Sequence, residues 1–469
     1  MKNLKLFKAI SLVLCITMMT ILFAACGGNS ETSGSTSATV SETAENTTAG
    51  SSESTAAEPV SGEIKYNFWG NADQAKAIQT QIDSFTSKNP GIKVNLDFAD
   101  WGNYWTKLAT QSAAGSAPDV FAMSTTLYLA DYAEKGYLVD VGELAKKDNF
   151  DLSKYYKAAL DLSSYNGKVY GLPQDINTII LAYNTDMLAK AGLSAPAANA
   201  TWDDILAMAK KLTLDKNGKN AEDPAFDSKN IVQWGLANYS TWIDGFVDPM
   251  ANSYGEGLVS VDGSKSNLLK DSSKKTFQFL NDAIWKYHVA PDFDTVPAWT
   301  DIFAQGKCAI YPLASYLLYG YADTSKGINI NYDVMQMPQG TNGKNFNPVQ
   351  SKGICISPSS KNIPAAWEFV KFIASEENYK SVVSTGAGLS PIPSINEELF
   401  LTAKFGPKNT KQVYLDALQN PCPLWQTVKA GDANTKIGEI SEYVMKNKIS
   451  VDEGLKKMDE AVQQILDDK

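Results

Sequence analysis

Arginine is absent from the 469 residues, and histidine occurs once, as His288. One histidine cannot furnish an HExxH zinc site or a cage of several imidazoles. It also leaves a Ser-His-Asp relay almost without a base. His288 follows the amphipathic stretch TFQFLNDAIWKY, where a basic side chain near a helix C-terminus is the ordinary expectation. There is no GxSxG elbow and no GxxxxGK[ST] phosphate loop. The GxG at Gly255–Gly257 lacks the remaining glycine and the strand–helix setting of a dinucleotide site. The net charge of −10 argues against nucleic acid, which requires a basic patch. The missing arginine also removes the preferred bidentate clamp for carboxylate and phosphate, although lysine can act there as a point charge. No metal and no cofactor is expected. Paired carboxylates could in principle hydrolyse glycosides, and sequence spacing does not exclude them.

What is present begins with a leader. MKNLKLFK is positive through Lys2, Lys5 and Lys8. The apolar run from Ala9 to Ala25 is shorter than the roughly 20 residues of a spanning helix. It closes on Phe23-Ala24-Ala25-Cys26-Gly27-Gly28, which resembles a bacterial lipobox, with Phe23 where leucine usually stands and Leu22 one place earlier. Residues 1–25 are then a signal peptide, and Cys26 takes up diacylglycerol and holds the chain to the cell membrane, outside the cytoplasm. The competing account is a secretory leader with a chance cysteine. From Cys26 no lysine occurs until Lys65, while Glu31, Glu42, Glu45, Glu53 and Glu58 are scattered among Ser, Thr, Ala and Gly. Such a stretch has too little apolar surface to offset the entropy of ordering it, so 26–62 reads as anchor and flexible tether. The remainder exceeds what one hydrophobic core usually serves, and two lobes are expected.

EIKYNFWG alternates as a strand, a helix with Ile78, Ile82 and Phe85 on one face follows, and Asn89-Pro90-Gly91 stops it. GIKVNLDF is a second strand, a helix carries Tyr104, Trp105 and Leu108, and PDVFAM is a third strand. This β-α-β-α-β order predicts parallel strands, with ligands at their C-terminal ends. It nominates Trp69, Asn71, Asp100, Trp101, Ser124 and Thr125. Asn166-Gly167 predicts a hairpin, and Thr201-Trp-Asp-Asp204 and Ser450-Val-Asp-Glu453 predict helix starts. Asp215-Lys-Asn217-Gly218-Lys219 hints at a calcium loop, but Lys219 stands where a ligand oxygen is wanted, so a turn is the better account. Cys308, Cys355 and Cys422 read as buried free thiols. Trp69 fits either the core or a site. Trp105 is expected inward of Trp101, and Trp202, Trp285 and Trp367 sit at helical spacing as core. Asp119 caps or orders its strand turn as readily as it meets a ligand.

Ordered along residues 63–469 are FWG…NPGIKV, APDVF with GYLVDV, YNGKVYGLP…LAYNTDML, TWDDILAMAKKLT, FAQGKCAIYPLASYLL, and GICISPSSKNIPAAWEFVKFI with STGAGLSPIPS. In this order they resemble family 1 of the extracellular solute-binding proteins of carbohydrate ABC importers, which are maltose-binding-protein-like. The resemblance implies an α/β, periplasmic-binding-protein-like fold: two α/β lobes joined by a multi-crossing hinge, with the ligand cleft between them. Crossings are expected near Pro173–Asp175, Gly306–Ala309 and Ser351–Gly353. Lobe 1 would span 63–173 and 308–351, and lobe 2 would span 174–307 and 352–469.

It further implies Trp242 as a stacking platform with Asp244 beside it, and Tyr316 where many members carry tryptophan. Asp175 and Asn177 would face hydroxyls from the cleft floor, and Trp425 would be a looser candidate. The implied partners are a sugar or oligosaccharide and membrane permease subunits, for a monomer without catalysis. The rivals are a surface adhesion or sensing lipoprotein, a binding protein for a non-sugar solute, and a secreted glycoside hydrolase.

Overall fold

The computed structural model describes residues 59–322, 325, 327–386 and 388–468. The signal peptide, Cys26 and the tether up to residue 58 lie outside the described residues. Among the described residues no helix is long and apolar enough to cross a membrane.

The first sheet forms where the alternating strands were expected. β1 (Gly62–Trp69) pairs in parallel with β2 (Ile92–Ala99) and with β3 (Val120–Ser124). Helix α1 (Ala72–Lys88) joins β1 to β2, and α2 (Trp101–Ala113) joins β2 to β3. Ile64, Tyr66 and Phe68 from β1 meet Ile78, Ile82 and Phe85 of α1 in one buried cluster. Asp119 does order the entry to β3: it accepts from Lys65 N at 2.8 Å and Ser360 Oγ at 2.6 Å. Asn166-Gly167 forms the hairpin turn, with φ of 48° and 76°.

β4 (Leu172–Pro173) closes the far edge of this sheet, and its neighbour comes from much later in the chain. The second sheet centres on β5 (Asn177–Asn184), in which every residue is buried. A continuous apolar strand of this kind needs cover on both faces. Helix α3 (Trp202–Leu212) covers the neighbouring strands of this sheet and starts at the Thr201/Asp204 capping box. Trp202 packs edge-on against Phe246 and Phe279, both at 5.7 Å between ring centroids. β6 (Leu214–Asp215), β7 (Ile231–Leu236), β8 (Cys308–Ala314) and β9 (Tyr332–Met335) complete the order β9-β5-β8-β7-β6, and β10 (Val349–Gln350) also pairs with β5. β11 (Lys352–Ile356) returns to the first sheet, antiparallel to β3 and β4.

These pairings correct two expectations. β8 hydrogen-bonds β5 and β7, so residues 308–350 build the second lobe and not the first. β11 belongs to the first sheet, and α5 (Ile363–Ile373) packs on β11, β1 and α1, so the first lobe takes this later segment. No crossing occurs at Gly306–Ala309, because Trp234 N donates to Lys307 O at 2.9 Å within the second lobe. The chain passes between sheets at 173–177 and 350–352, and residues 389–391 lie alongside. Ile176 N donates to Leu389 O at 3.3 Å, and Tyr156 N to Pro391 O at 2.8 Å. α6 (Gln412–Gln419) then packs on β5. α7 (Ala430–Met445) and α8 (Val451–Asp467) pack on each other and on α4 (Asp271–Trp285) of the second lobe. Ser450 caps α8.

Trp202 and Trp367 are buried as expected, but Trp285 is 38% exposed, donating its indole N–H to Met445 O at 3.0 Å from the protein's edge. Cys308, Cys355 and Cys422 are free and buried. Asp215 accepts from the N–H groups of Asn217, Lys219 and Asp227 at 2.8–2.9 Å, so its lone pairs organise a turn.

Candidate functional site

The C-terminal ends of β1 and β2 bring an aromatic group together. Asp100 caps α2, accepting from Asn103 N at 3.2 Å and Asn103 Nδ2 at 2.6 Å, and these bonds hold its carboxyl below the usual carboxylate range. The cap sets Trp101 at the first helical position, 43% exposed, with Trp105 buried behind it. Trp69 meets Trp101 at 5.2 Å and Trp105 at 5.5 Å, and Trp105 stacks on Tyr128 at 4.0 Å. The Lys352 ammonium lies 4.9 Å from the Trp69 ring centroid. Asn71 accepts from Asp73 N and Gln74 N as a capping box, so its carbonyl oxygen serves the helix start.

The hinge is a lattice of short-range locks. Thr125 Oγ1 donates to Ser351 O at 2.7 Å, Ser351 Oγ donates to Asp175 O at 2.7 Å, and Asp175 Oδ1 accepts from Lys352 N at 2.7 Å. Burial raises the Asp175 carboxyl, against the pull of the Lys352 charge. Asn177 is buried and accepts from Ser315 Oγ at 3.0 Å. Ser124 is buried opposite Lys352 in the strand pair. Thr125, Asn177 and Ser124 therefore fix the crossing.

From the second lobe come Asp244, Tyr316 and Trp242. Asp244 lies in a wide π-helical turn over Ile243–Val247, and its Oδ2 accepts from Gln350 Nε2 at 2.6 Å. Burial pushes its carboxyl up to about 6. Tyr316 leaves 41% of its surface exposed. Burial of its phenol, followed by the nearby Asp244, Tyr239 and Asp175 charges, raises its ionisation. Trp242 departs from the open platform expected of it. It is 7% exposed, Gly245 packs beneath its ring, and Tyr239 and Trp299 stand 5.6 Å away. Trp425 is buried near the Asp248 carboxyl, which burial pushes up to about 7.

The lobes meet across this group. Tyr128 of the first lobe is raised by burial and by the charges of Asp432 and Asp244 from the second. Gln426 Nε2 donates across to Thr125 O at 3.3 Å and Leu162 O at 3.1 Å. Gly431, in the first turn of α7, leaves room for the Tyr128 ring, which a Cβ there would strike. Sequence reasoning missed Tyr128, Gln350, Lys352, Gln426 and Trp299. Gln350 stands beside the crossing predicted at Ser351–Gly353 and Lys352 within it, so both were open to inference from that. Tyr128 and Gln426 depend on lobe apposition, which no local pattern encodes. The arrangement joins flat aromatic faces to carboxylate and amide groups around a hinge, chemistry suited to holding a polar, uncharged solute. Among the described residues no group of three or more His, Cys, Asp or Glu side chains is placed to hold a metal ion.

Two α/β lobes on a crossing-strand hinge, with polar and aromatic groups where they meet, define a solute-binding protein. The family model of the bacterial extracellular solute-binding proteins matches residues 69–380, and the chain belongs to that family. A galactooligosaccharide-binding protein of Bacillus subtilis is 23% identical over 333 residues, 71% of this chain and 74% of that one. An ABC substrate-binding protein from Listeria monocytogenes, solved in complex with cycloalternan, is 25% identical. It has a TM-score of 0.76 and covers 87% of this chain and 99% of its own. A solute-binding protein of an ABC transporter from Thermotoga lettingae, bound with alpha-D-tagatose, has a TM-score of 0.73 at 21% identity, over 87% and 100% of the chains.

Proposed function

We propose that this protein captures a neutral sugar or oligosaccharide outside the cell and delivers it to the permease subunits of an ABC importer. The observation that carries this reading is the group around the hinge: exposed Trp101 and Tyr316 with the Asp244–Gln350 pair between the lobes. Rings stack on the C–H faces of a pyranose, while amide and carboxylate groups take its hydroxyls. A mismatched sugar would leave those polar groups unpaired. A solute touching both lobes favours the closed state by its differential affinity for it. The saccharides named for related proteins support the ligand class. The protein acts as a monomer and without catalysis. It is held near its permease by acyl chains on Cys26 after loss of residues 1–25, a reading supported by the basic, apolar and small-residue order of the leader.

The test is thermal denaturation against a panel of neutral mono- and oligosaccharides beside amino acids, phosphate and peptides. A saccharide is expected to raise the melting temperature in proportion to the logarithm of its concentration. A shift produced only by a charged solute overturns the reading.

A further inference from the structure

Trp299 is the most exposed tryptophan of the second lobe, at 60%, and its φ is 66°. Bulky side chains rarely occupy this left-handed region, and when they do the surrounding structure imposes it, often at a ligand site. The turn is pinned: Thr300 Oγ1 donates to Pro297 O at 2.7 Å, and Thr300 N to the same oxygen at 3.2 Å. One side of the Trp299 ring meets Trp242 at 5.6 Å and Tyr239 at 5.7 Å. If Trp299 served only to cover those rings, the fold would not need to leave most of its surface in water.

Beyond Trp299 lies a groove of about 460 Å³ between the Pro297–Trp299 turn and α7, with Thr241, Phe293, Asn434 and Gly438 in its walls. That volume falls within the range of small-molecule sites. The Asn434 side-chain oxygen is buried without a hydrogen-bond partner. The charged groups of the groove cancel locally: Glu442 pairs with Lys446 at 2.6 Å, and Glu439 pairs with Lys436 at 2.6 Å. An ionic ligand would find no net charge there, whereas hydroxyls would find acceptors and a ring face. The same helix reaches the inter-lobe site, since Gly431 and Asp432 stand against Tyr128.

We infer that the binding site continues out of the cleft, past Trp299 and along α7, as a second subsite for the outer units of a neutral oligosaccharide. Trp299 is its stacking face, and the side chains of Thr241 and α7 line the rest. This rests on the saccharide reading above and adds the ligand's length and its exit path.

The experiment is calorimetry of wild type, Trp299→Ala and Thr435→Trp against neutral mono-, di- and tetrasaccharides of the glucose, galactose and arabinose series. Trp299→Ala removes the platform, and Thr435→Trp fills the groove from an exposed position on α7. Each is expected to weaken the tetrasaccharide about tenfold while leaving the shortest bound sugar within about twofold, the size of effect that truncating an aromatic anchor has. Equal losses for short and long sugars, or no loss for any, overturn the subsite and leave the saccharide reading standing. A wild-type protein that binds no saccharide in the panel overturns that reading and the subsite with it.

Discussion

At the scale of single residues, Trp101 and Trp242 carry opposite expectations for the same substitution. Trp101 is exposed on the first turn of α2, so Trp101→Ala is expected to cost about 2 kcal/mol of sugar affinity and little stability. Trp242 is buried over Gly245 and against Tyr239, so Trp242→Ala is expected to cost about 3–5 kcal/mol of folding free energy before any effect on ligand. Calorimetry with urea denaturation of both variants separates the two roles. Asp244 yields a pH prediction. Its carboxyl is raised by burial to about 6, so the folded protein keeps this proton where the unfolded chain has already released it. Its contribution to stability is therefore greatest below about pH 4 and is lost as the pH rises to about 6. Asp244→Asn keeps an acceptor for Gln350 and removes the titration. Urea denaturation across that window is expected to show the variant gaining on the wild type by on the order of 2 kcal/mol. A constant difference would contradict the buried, proton-holding carboxyl.

Among the elements, the packing of α3 on β7 is unusually close. A Cβ at Gly235 would run into the Ala209 carbonyl oxygen of the helix, a backbone atom that cannot turn aside. Gly235→Ala is therefore expected to destabilise the second lobe by about 1–3 kcal/mol, read as a lowered urea midpoint at unchanged slope. Elements of this kind were largely legible in the sequence. Alternation in EIKYNFWG and GIKVNLDF, the caps at Thr201 and Ser450, and the Asn166-Gly167 turn are local signals, and local signals set local structure. Trp285 shows the limit. Its spacing suited a buried face, but its helix ends at the protein's edge, and the ring is half in water with its N–H on Met445. The inward turn of Trp105 was legible because α2 has one apolar face. The strained exposure of Trp299 was not, because neither its positive φ nor the packing of its ring on Trp242 and Tyr239, some sixty residues earlier, leaves a mark on the neighbouring sequence.

For the whole molecule, the allocation of segments to lobes was the hardest feature to read. Residues 308–350 join the second sheet and 352–373 the first because β8 finds β5 and β11 finds β3. Both pairings span more than a hundred residues and leave no mark on neighbouring sequence. The polar candidates suffered similarly. Asn71, Asp100 and Thr125 stand at strand ends as anticipated, yet their oxygens serve helix caps and a hinge lock. The groups we propose to meet a solute come from both lobes at once, around Trp101, Asp175, Asp244 and Tyr316, with Tyr128 and Gln350 joining only through the fold. Such a site has a mechanical consequence, since a ligand held by both lobes draws them together. Small-angle scattering of the protein with and without the saccharide that most raises its melting temperature shows whether ligand draws the lobes together. A smaller radius of gyration is expected at saturation, with the gain in compactness lost in Trp101→Ala at the same sugar concentration. Saturating saccharide that leaves the radius of gyration unchanged would contradict that closure.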